Sequence, residues 1–595
     1  MTQPAPTRLS RRRLLQAGGL SAATIALGIS APETAGAEPV GRDELFALGV
    51  ASGAPRPDGM VLWTRLAPDP TAADGHGGMP LRPVPVRWDV ATDARFRDVV
   101  AQGHALAQPE LAHSVHPRVT GLEPGTEYFY RFRVGRGRSP VGRFRTLPAP
   151  GDTPERFSFG VTSCQAWYHG HFTAHRHLAE EPDLDLAVFV GDYIYEYGIT
   201  SANLWRQGAS VGRASAVEVE TLEQYRLRYG LFKSDPHLQR LHARVPAVVT
   251  WDDHEVQNNY VGASSAYGMS DELFAHRVAV GYRAFYEHLP LDVDALPEGP
   301  SADVTTGLDV GRLARFSLLD TRQFRDPVPT STEEQHDPDR TMLGAEQERW
   351  VTDRLVDSPA TWNLLANGVV VSPITEDRTD QWDGYPAARQ RLLQAMARSS
   401  NPVVLTGDIH KHVASELRAD VDDPSAGNVG VELICTSVAS DGDGAPTDSY
   451  TPDWVQHDYV KLYDGRRGYL HVTLTPQQMD STFVVVPWVE ADDTAPREVV
   501  ARFTTPPADP VSTGPEPGQG GRDEPEPRGR HRSADRAVDH PHHPQLALAR
   551  LRAADRPLPG ARRPRRRARL RAHRGQPRRQ DRLPPLRARR PGAAG

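Results

Sequence analysis

Four clusters of polar residues, each placed directly after a short apolar run, could supply the ligands of a metal ion. Together they contain a cysteine, tyrosines, histidines and several aspartates, which are side chains that bind metals. The clusters are Ser163-Cys164-Gln165, Gly191-Asp192-Tyr193-Ile194-Tyr195, Asp252-Asp253-His254-Glu255 and Gly407-Asp408-Ile409-His410. A lone aspartate after a strand is commonly a helix N-cap, but capping does not account for this combination of residue types. The sequence therefore predicts a metal centre.

The apolar runs before these clusters predict buried strands of an α/β domain. Short apolar runs alternate with segments of helical periodicity, which is typical of such domains. The runs are residues 157–161, 186–190, 245–250, 316–319, 364–366, 403–406 and 432–435, and the helical patterns include residues 222–232, 272–288, 345–356 and 386–398. Reactive groups in α/β sheets gather beyond the carboxyl ends of the strands, so we expect the four clusters to meet there.

Residues 38–148 are predicted to form a small all-β domain ahead of the α/β domain. Residues 84–90 and 128–134 alternate polar and apolar side chains with period two, as half-buried strands do. The turn at residues 121–126 resembles one that fibronectin type III domains contain. This segment shows no catalytic constellation, so we expect it to pack against or position the larger domain at residues 153–505.

The two ends of the chain differ in composition from the rest. Residues 1–37 contain Ser10-Arg11-Arg12-Arg13, a weakly hydrophobic stretch and Ala35-Gly36-Ala37, the pattern of a twin-arginine export signal. Residues 506–595 are rich in Pro, Arg, Gly and Ala and predict a disordered basic tail that supplies neither a ligand nor a strand. The tail is either a basic arm for anionic polymer, lipid or nucleic acid, or an inert, even out-of-frame, extension.

Composition excludes several other classes of protein. The formal net charge of −7 is small for 595 residues and argues neither for nor against a charged partner. No specific nucleic-acid partner is expected. The only cysteines are Cys164 and Cys435, which excludes a disulfide framework. Cys435 is expected to be core on a strand, whereas Cys164 is either a ligand or an inert buried thiol.

The order Gly-Asp-x-x-Tyr, Asp-His-Glu and Gly-Asp-x-His resembles the calcineurin-like metallophosphatase pattern, in the version with a tyrosine ligand. The fuller strings resemble the alkaline phosphatase D (PhoD-like) family, which also contains secreted enzymes described as phospholipases D. These strings are Ser163-Cys164-Gln165, residues 191–197, residues 251–260 and Trp382-Asp383-Gly384-Tyr385-Pro386. The resemblance spans residues 44–505. It implies a metallophosphatase-type β-sandwich flanked by helices (αββα), preceded by the small fibronectin III-like domain.

The resemblance implies an iron(III) ion at the first metal position. Cys164 and Tyr195 would ligate as thiolate and phenolate, which suit a ferric ion better than Mg²⁺ or Ca²⁺. His410 would complete this shell, and Asp192 would bridge to a second metal. The implied cofactors are one Fe3+ ion and one or two Ca2+ ions.

Asp253 and Asp408 would hold the second metal, where carboxylates favour an oxygen-loving cation such as Ca²⁺. A metal-bound hydroxide would attack phosphorus in line, and His254 would stabilise the oxyanion or protonate the leaving group. Arg322 is predicted to clamp the phosphate through its planar donor fork, with a structural ion pair as the alternative. Related folds usually offer a further histidine to this metal, whereas residues 366–373 contain none.

Several neighbouring residues have two interpretations. Asp252 is expected to support a ligand rather than to bind metal itself. Asn259 could add an oxygen ligand, and Trp382 and Tyr385 could either shape the substrate site or simply pack. Four closely spaced histidines suggest a further metal cluster: His169, His171, His175 and His177. They lack a carboxylate at matching spacing, so ordinary structural roles are favoured.

The sequence therefore predicts a secreted metal-dependent phosphoesterase that hydrolyses phosphate mono- and diesters. The alternative enzyme is a phospholipase D-like diesterase acting on phospholipid head groups, because both would use the same centre. A more distant alternative is a cell-wall binding protein with an inactive site. The expected partners are phosphoester substrates, phospholipid and teichoic acid among them, and the twin-arginine translocation machinery. The expected state is a monomer in the cell wall or periplasm.

Overall fold

The described part of the molecule contains a small N-terminal β-sandwich followed by a larger domain of two sheets with flanking helices. The computed structural model describes residues 44–507, except residues 376, 422 and 424, together with a strand at residues 552–553. The predicted export signal at residues 1–37 and nearly all of the predicted tail at residues 506–595 lie outside the described residues. Within the described residues, no helix has the length and apolar character needed to cross a membrane.

Short strands pair into the two sheets of the N-terminal sandwich. They are β1 (Ala51–Arg56), β2 (Gly59–Arg65), β3 (Val84–Ala91), β4 (Val99–Ala107), β5 (Ser114–Val115), β6 (Arg118–Thr120), β7 (Glu127–Val134), β8 (Gly137–Arg138) and β9 (Gly142–Arg145). One sheet has the order β4-β3-β7, and β2 pairs with β1, β5 and β6 in the other. Leu62, Val90 and Phe132 meet in the core between them. The alternating segments at residues 84–90 and 128–134 are therefore confirmed as strands β3 and β7.

The larger domain is built from longer strands. They are β10 (Phe157–Thr162), β11 (Leu186–Val190), β12 (Ala247–Thr250), β13 (Thr306–Val310), β14 (Ala314–Leu318), β15 (Trp362–Asn367), β16 (Pro402–Thr406), β17 (His412–Arg418), β18 (Asn428–Ile434), β19 (Gly444–Ala445), β20 (Val460–Leu474), β21 (Met479–Val486) and β22 (Glu498–Thr505). The first sheet has the order β12-β11-β10-β20-β21-β22, and the second has the order β13-β14-β15-β16-β18-β17-β20. Because β20 pairs with β17 near its start and with β10 near its end, this one strand joins the two sheets.

Helices cover the outer faces of both sheets. They are α1 (Thr173–Ala179), α2 (Leu222–Lys233), α3 (Pro236–Arg244), α4 (Asp271–His288), α5 (Thr332–Gln335), α6 (Gly344–Val356), α7 (Pro386–Met396) and α8 (Thr451–Val455). Helices α1 to α4 pack on the first sheet, and α6 and α7 pack on the second. The predicted αββα arrangement is confirmed.

Burial on both faces explains why the strands appear as continuous apolar runs. In β11, Leu186, Val188 and Val190 face the interior between the two sheets, whereas Ala187 and Phe189 face the helices. Successive side chains of a strand point to opposite faces, so a strand covered on both sides needs apolar residues at every position. The parallel strands that precede the four polar clusters were predictable for this reason.

The N-terminal sandwich is joined to the larger domain through a shared strand contact. Strand β1 pairs in parallel with β12 at Gly53 and Ala247. A Cβ atom on Gly53 would lie 2.7 Å from the carbonyl oxygen of Ala247 and 2.4 Å from that of Pro290. Only glycine permits this approach, because any side chain would collide with backbone that cannot move aside. The contact supports the expectation that this sandwich positions the larger domain.

The end of the first sheet differs from the sequence-based expectation. Strand β23 (Arg552–Ala553) pairs antiparallel with β22, at Phe503 and Thr504. The expectation that no residue of the tail supplies a strand is therefore wrong at these two positions. Strand β22 lies at the edge of its sheet, and edge strands present unpaired backbone groups that accept a further segment of almost any composition.

Candidate metal centre

The four polar clusters meet where strands of both sheets end. The backbone N–H of Cys164, after β10, donates to the carbonyl of Gly191, after β11, at 3.2 Å. The N–H of Gln165 donates in the same way to the carbonyl of Asp192 at 3.1 Å. The Sγ atom of Cys164 lies 3.8 Å from the carbonyl oxygen of Asp408, after β16. These contacts bring loops from the two sheets to one site.

Four of the six predicted metal ligands have an uncommon backbone conformation. Cys164, Asp192, Asp408 and His410 have φ values of 56°, 55°, 64° and 57°. Non-glycine residues adopt such left-handed conformations rarely, and they cluster at active sites where the surrounding structure maintains the strain. Each residue turns the chain sharply after its strand, so the strain is concentrated where the side chains converge.

One group of donors combines a thiol, a carboxylate and an imidazole. The ligand atoms of Cys164, Asp192 and His410 lie within 4.8 Å of one another. The hydroxyl of Tyr195 donates to Asp192 Oδ2 at 3.0 Å and lies 3.0 Å from His410 Nε2, which places the phenol in the same group. Ser440 Oγ donates to the Tyr195 oxygen at 2.9 Å. The four residues predicted to surround the first metal are thus adjacent.

The thiol and the phenol of this group favour their protonated forms unless a cation lies beside them. Burial raises the pKa of the Cys164 thiol well above its usual value, and the Asp192 carboxylate raises it further. Burial and Asp192 likewise raise the pKa of the Tyr195 phenol. A metal ion reverses this effect, because its charge stabilises a coordinated thiolate or phenolate. The donor set fits a strongly positive ion.

A second group of donors lies on the other side of Asp192. The ligand atoms of Asp192, Asp253 and His254 are within 4.8 Å of one another, and so are those of Asp192, Asp252 and Asp408. Burial, reinforced by the Asp252 and Asp253 carboxylates, raises the pKa of Asp408 to about 8. Buried carboxylates accumulate in this way where a cation neutralises them.

Three carboxylate oxygens in the second group are left without a hydrogen bond. Oδ1 of Asp192, Oδ2 of Asp252 and Oδ1 of Asp253 are buried and have no hydrogen-bond partner among the described residues. Leaving a buried acceptor unsatisfied costs about 1–3 kcal/mol, and more for a charged group. A metal bound between these oxygens would satisfy them, so the residues present fit such an ion.

Asp252 lies closer to the second group than the sequence indicated. It was expected to support a ligand, yet its own oxygen atoms belong to the group formed with Asp192 and Asp408. Gly368 makes room for it, since a Cβ atom there would lie 2.6 Å from Asp252 Oδ1. The stretch at residues 366–373, which lacks the histidine of related folds, therefore contributes space for a carboxylate instead.

Arg322 is buried and already engaged by carboxylates. Its Nε donates to Asp252 Oδ1, and its two terminal nitrogens donate to the oxygens of Asp380 at 2.8 and 2.9 Å. Arg325 also donates to Asp380 Oδ1 at 2.9 Å. The geometry corresponds to the ion-pair alternative for Arg322, because the donors of its fork are directed to protein carboxylates.

His254 is oriented by a buried carboxylate. Its Nδ1 lies 2.7 Å from Oε2 of Glu196, and Oε1 of Glu196 accepts a hydrogen bond from the backbone N–H of Asn258 at 2.7 Å. Burial alone would lower the pKa of His254, but the Glu196, Asp253 and Asp192 carboxylates raise it well above its usual value. With Nδ1 engaged, Nε2 is the ring nitrogen that can act on a ligand.

Supporting residues that sequence reasoning missed also come from the structure. Oε2 of Glu255 accepts from the backbone N–H groups of Asp192 at 3.3 Å and Asp252 at 2.9 Å, so it ties two clusters together. Nε2 of Gln381 donates to Oδ2 of Asp408 at 2.5 Å. Oδ2 of Asp441 lies 2.7 Å from Nδ1 of His410. Only Glu255 had a sequence signal, since it lies within the Asp-Asp-His-Glu string.

The remaining predicted residues divide between the cavity and the core. Asn259 lines a cavity of about 290 Å³ beside Asp408, and its backbone N–H donates to Asp253 Oδ2 at 2.6 Å. Trp382 and Tyr385 are buried in the core under the second sheet, so they pack there. Cys435 is buried between the sheets, as predicted.

The four closely spaced histidines have separate partners. His169 accepts from the N–H of Asp441, His171 and His177 contact backbone carbonyl oxygens, and His175 contacts the side chain of Gln165. Within the described residues, none of them belongs to a group that could hold a metal. The contacts of these four histidines therefore fit ordinary structural roles.

Comparisons with known proteins cover both domains. A family model described as PhoD-like phosphatase matches residues 159–483, and one described as PhoD-like phosphatase, N-terminal domain, matches residues 32–148. Alkaline phosphatase D of Bacillus subtilis (strain 168) is 42% identical over 502 residues, which cover 80% of this chain and 85% of that protein.

One solved structure supports the same family at the level of the fold. A structure of PhoD matches with a TM-score of 0.74 at 40% identity, covering 80% of this chain and 92% of the other. GAP50, the anchor in the inner membrane complex of Plasmodium, matches 59% of this chain and 88% of its own. Its TM-score of 0.28 at 10% identity is too low to carry an argument.

Proposed function

Because this chain belongs to the PhoD-like phosphatase family and is a metal-dependent phosphoesterase, we propose that it hydrolyses phosphate mono- and diesters outside the cytoplasmic membrane. The observation that carries the proposal is the position of Asp192. Its ligand atoms lie within 4.8 Å of donors on both sides, Cys164 and His410 on one and Asp253 and His254 on the other. A carboxylate shared in this way suits two neighbouring metals that act together on one phosphate.

We propose iron(III) for the first position and calcium for the second. Cys164, Tyr195, His410 and Asp192 would hold the iron, since thiolate and phenolate suit a ferric ion. The second position is rich in carboxylate oxygens, which favour Ca²⁺ over metals that prefer nitrogen. Asp253 and Asp408 would hold the calcium, and the unsatisfied oxygen of Asp252 supports adding it to this set.

Metals held by these residues would supply Lewis-acid stabilisation of the phosphoryl oxygens and would lower the pKa of a nearby water. The residues of the chain provide the rest. His254, fixed by Glu196, places Nε2 to donate a hydrogen bond or proton to an oxygen of the phosphoryl group or leaving group. Arg322 orients Asp252 and Asp380 rather than the substrate. His254 and Arg322 are both held in place by buried contacts, so these side chains need little reorganisation during the reaction.

We also propose export through the twin-arginine machinery. The support is the paired arginines in Ser10-Arg11-Arg12-Arg13, the weakly hydrophobic stretch after them and Ala35-Gly36-Ala37. This route carries folded proteins, so the buried metal centre could be completed before export. Replacing Arg11 and Arg12 by lysine should retain the protein in the cytoplasm, as fractionation of expressing cells would show.

The test of the activity is a comparison of initial rates on p-nitrophenyl phosphate, bis-p-nitrophenyl phosphate and phosphatidylcholine. We expect turnover of the two nitrophenyl esters after reconstitution with iron and calcium. An Asp192→Asn protein purified in the same way controls for contaminating phosphatases. A clear preference for phosphatidylcholine would favour the phospholipase D-like alternative, and absence of turnover on all three would reject the proposal.

A further inference from the structure

We propose that Arg378, stacked on Tyr450 at the mouth of the metal centre, binds the non-bridging phosphate oxygens of the substrate and favours monoester dianions over diester monoanions. The inference rests on the proposed phosphoesterase activity, since it concerns how the substrate of that site is recognised. It assigns to Arg378 the role that the sequence suggested for Arg322.

The cavity beside the second metal position is lined by acidic residues. This cavity of about 290 Å³ is lined by Asp408, a predicted ligand, by Asn259 and by residues 377–381. Its walls include the carboxylates of Asp377, Asp380 and Asp408. The proposed second metal offsets the charge of Asp408, whereas Asp377 and Asp380 still repel a phosphate dianion, so a cationic group on the same wall would favour its binding.

The buried arginines near this cavity already pair with carboxylates of the protein. Arg322 and Arg325 both donate to Asp380, and Arg322 also donates to Asp252. Their side chains are almost wholly inaccessible to solvent. They neutralise Asp380 and stabilise the wall, but their paired donors are not available to a substrate. Among the described arginines, Arg378 is the one that lines the cavity itself.

Arg378 contacts the face of an aromatic ring. Its Cζ atom lies 5.1 Å from the centre of the Tyr450 ring. A guanidinium stacked on an aromatic face is fixed in orientation, while its edge N–H groups remain able to form paired hydrogen bonds to two phosphate oxygens. Asp377 is its exposed neighbour, so water screens that carboxylate. The contact with the Tyr450 ring thus restricts the motion of the Arg378 fork.

Arg378 and Tyr450 are each linked, through hydrogen bonds and an ion pair, to the loop that carries predicted metal ligands. The backbone N–H of Gln381 donates to the carbonyl of Arg378 at 3.1 Å, and the Gln381 side chain donates to Asp408. On the other side, the backbone N–H of Tyr450 donates to Asp448 Oδ1 at 2.9 Å, and Asp448 pairs with Lys411 at 2.8 Å. Lys411 directly follows His410. Arg378 is therefore linked to Asp408, a predicted ligand of the second metal, and Tyr450 is linked to the neighbour of His410, a predicted ligand of the first.

The experiment compares Arg378→Gln with a matched control. Arg418→Gln removes another arginine that is stacked on a tyrosine, with Cζ 5.4 Å from the Tyr459 ring. Arg418 is the last residue of β17, whose first residue is His412, so about 20 Å of extended chain separates it from the centre. Michaelis–Menten parameters on p-nitrophenyl phosphate and bis-p-nitrophenyl phosphate are measured near pH 8.5, where the monoester is a dianion.

We expect Arg378→Gln to raise KM for the monoester by about tenfold to a hundredfold, with a smaller rise for the diester. The inhibition constant of inorganic phosphate should rise by a similar factor. Tyr450→Ala should reproduce part of the effect and Tyr450→Phe should not, because phenylalanine preserves the ring face. Arg378→Lys should recover charge but not paired geometry, and so should be intermediate.

The outcomes separate this inference from the proposed function. Equal KM values and phosphate inhibition in Arg378→Gln and Arg418→Gln, with normal wild-type turnover, would overturn the role of Arg378 and leave the phosphoesterase intact. A loss confined to kcat would also overturn it, because binding of ground-state oxygens changes KM. Absence of wild-type turnover would instead contradict the proposed function.

Discussion

The two halves of the metal centre share Asp192 but are supported in different ways. The half that contains Cys164 and Tyr195 is held largely by hydrogen bonds, from Ser440 to Tyr195 and between Asp441 and His410. The carboxylate half is held by charge: Arg322 pairs with Asp252 and Asp380, and Arg325 pairs with Asp380. In the proposed centre, the first arrangement would select the metal by donor type, whereas the ion pairs of the second stabilise several carboxylates close together.

This difference separates two kinds of failure. A change in the first half should alter which metal binds and its visible spectrum. A change in the second half should alter the net charge and the oxygen coordination while the first metal stays in place. Among the described residues, only Asp192 belongs to both groups, so its loss should affect both halves together.

The largest effect is expected for Asp192→Asn. The amide cannot serve as an anionic bridge, so both metals should be weakened, and kcat/KM should fall by several orders of magnitude. Activity on p-nitrophenyl phosphate and elemental analysis test this, with circular dichroism to establish that the fold survives. Retention of more than about a tenth of the wild-type value, a loss of only ~1.4 kcal/mol, would contradict the bridging role.

The next effect concerns the first half and its colour. Wild-type protein should contain about one iron per chain together with calcium, and thiolate and phenolate donors should give a visible charge-transfer band. Cys164→Ser should shift and weaken that band, since only the Tyr195 phenolate remains, lower the iron content and reduce kcat/KM by about a hundredfold. Cys435→Ala is the matched control: it removes a buried core thiol, so stability should fall by about 1 kcal/mol while the band remains. A colourless, iron-free wild type with full activity would remove this assignment.

A smaller effect is expected for Asp408→Asn in the second half. The substitution keeps the shape of the side chain but removes one charge, so calcium content should fall and kcat/KM should drop by roughly tenfold or more. The charge-transfer band of the first half should persist. Asp377→Asn, an exposed carboxylate on the same cavity wall, should stay within about twofold of wild type. Loss of the visible band in Asp408→Asn would show that the halves are not separable.

The smallest effect is expected at the tail. A chain ending at Thr505 loses only the two-residue pairing of β23 with β22 from the described fold. Metal content, melting temperature and rates on soluble esters should therefore remain close to those of the full chain, with a stability change below about 1 kcal/mol. Binding to anionic vesicles can fall, because the arginine runs are removed, and added salt should weaken the binding of the full chain. A loss of soluble-ester activity on truncation would mean that the tail contributes to the catalytic domain.

Much of the parallel part of the fold was predictable from local pattern. The apolar run at residues 186–190 coincides with β11, and the helical pattern at residues 222–232 nearly coincides with α2. Helix α2 also has a capping box, with Thr221 accepting from the N–H of Gln224. Runs that are apolar at every position indicate strands buried on both faces, whatever they pack against.

The antiparallel part was not predictable in the same way. Strand β20 has 15 residues of mixed polarity and changes partners along its length, from β17 in one sheet to β10 in the other. Its side chains are mostly half-buried near its start and mostly buried further along, so no single periodicity describes it. Strand β20, which joins the two sheets, therefore had no local signature.

The sequence by itself determined the chemical types of the donors and their placement after strands, because both depend on residues that are adjacent in the chain. Only the tertiary structure decided which of those donors meet. It brought Asp252 into the second group, directed Arg322 to Asp380 and placed Arg378 on the cavity wall. The reason is physical: a carboxylate's partner in a buried site is selected by distance and dielectric, and these depend on loops from different strands that are far apart in the chain.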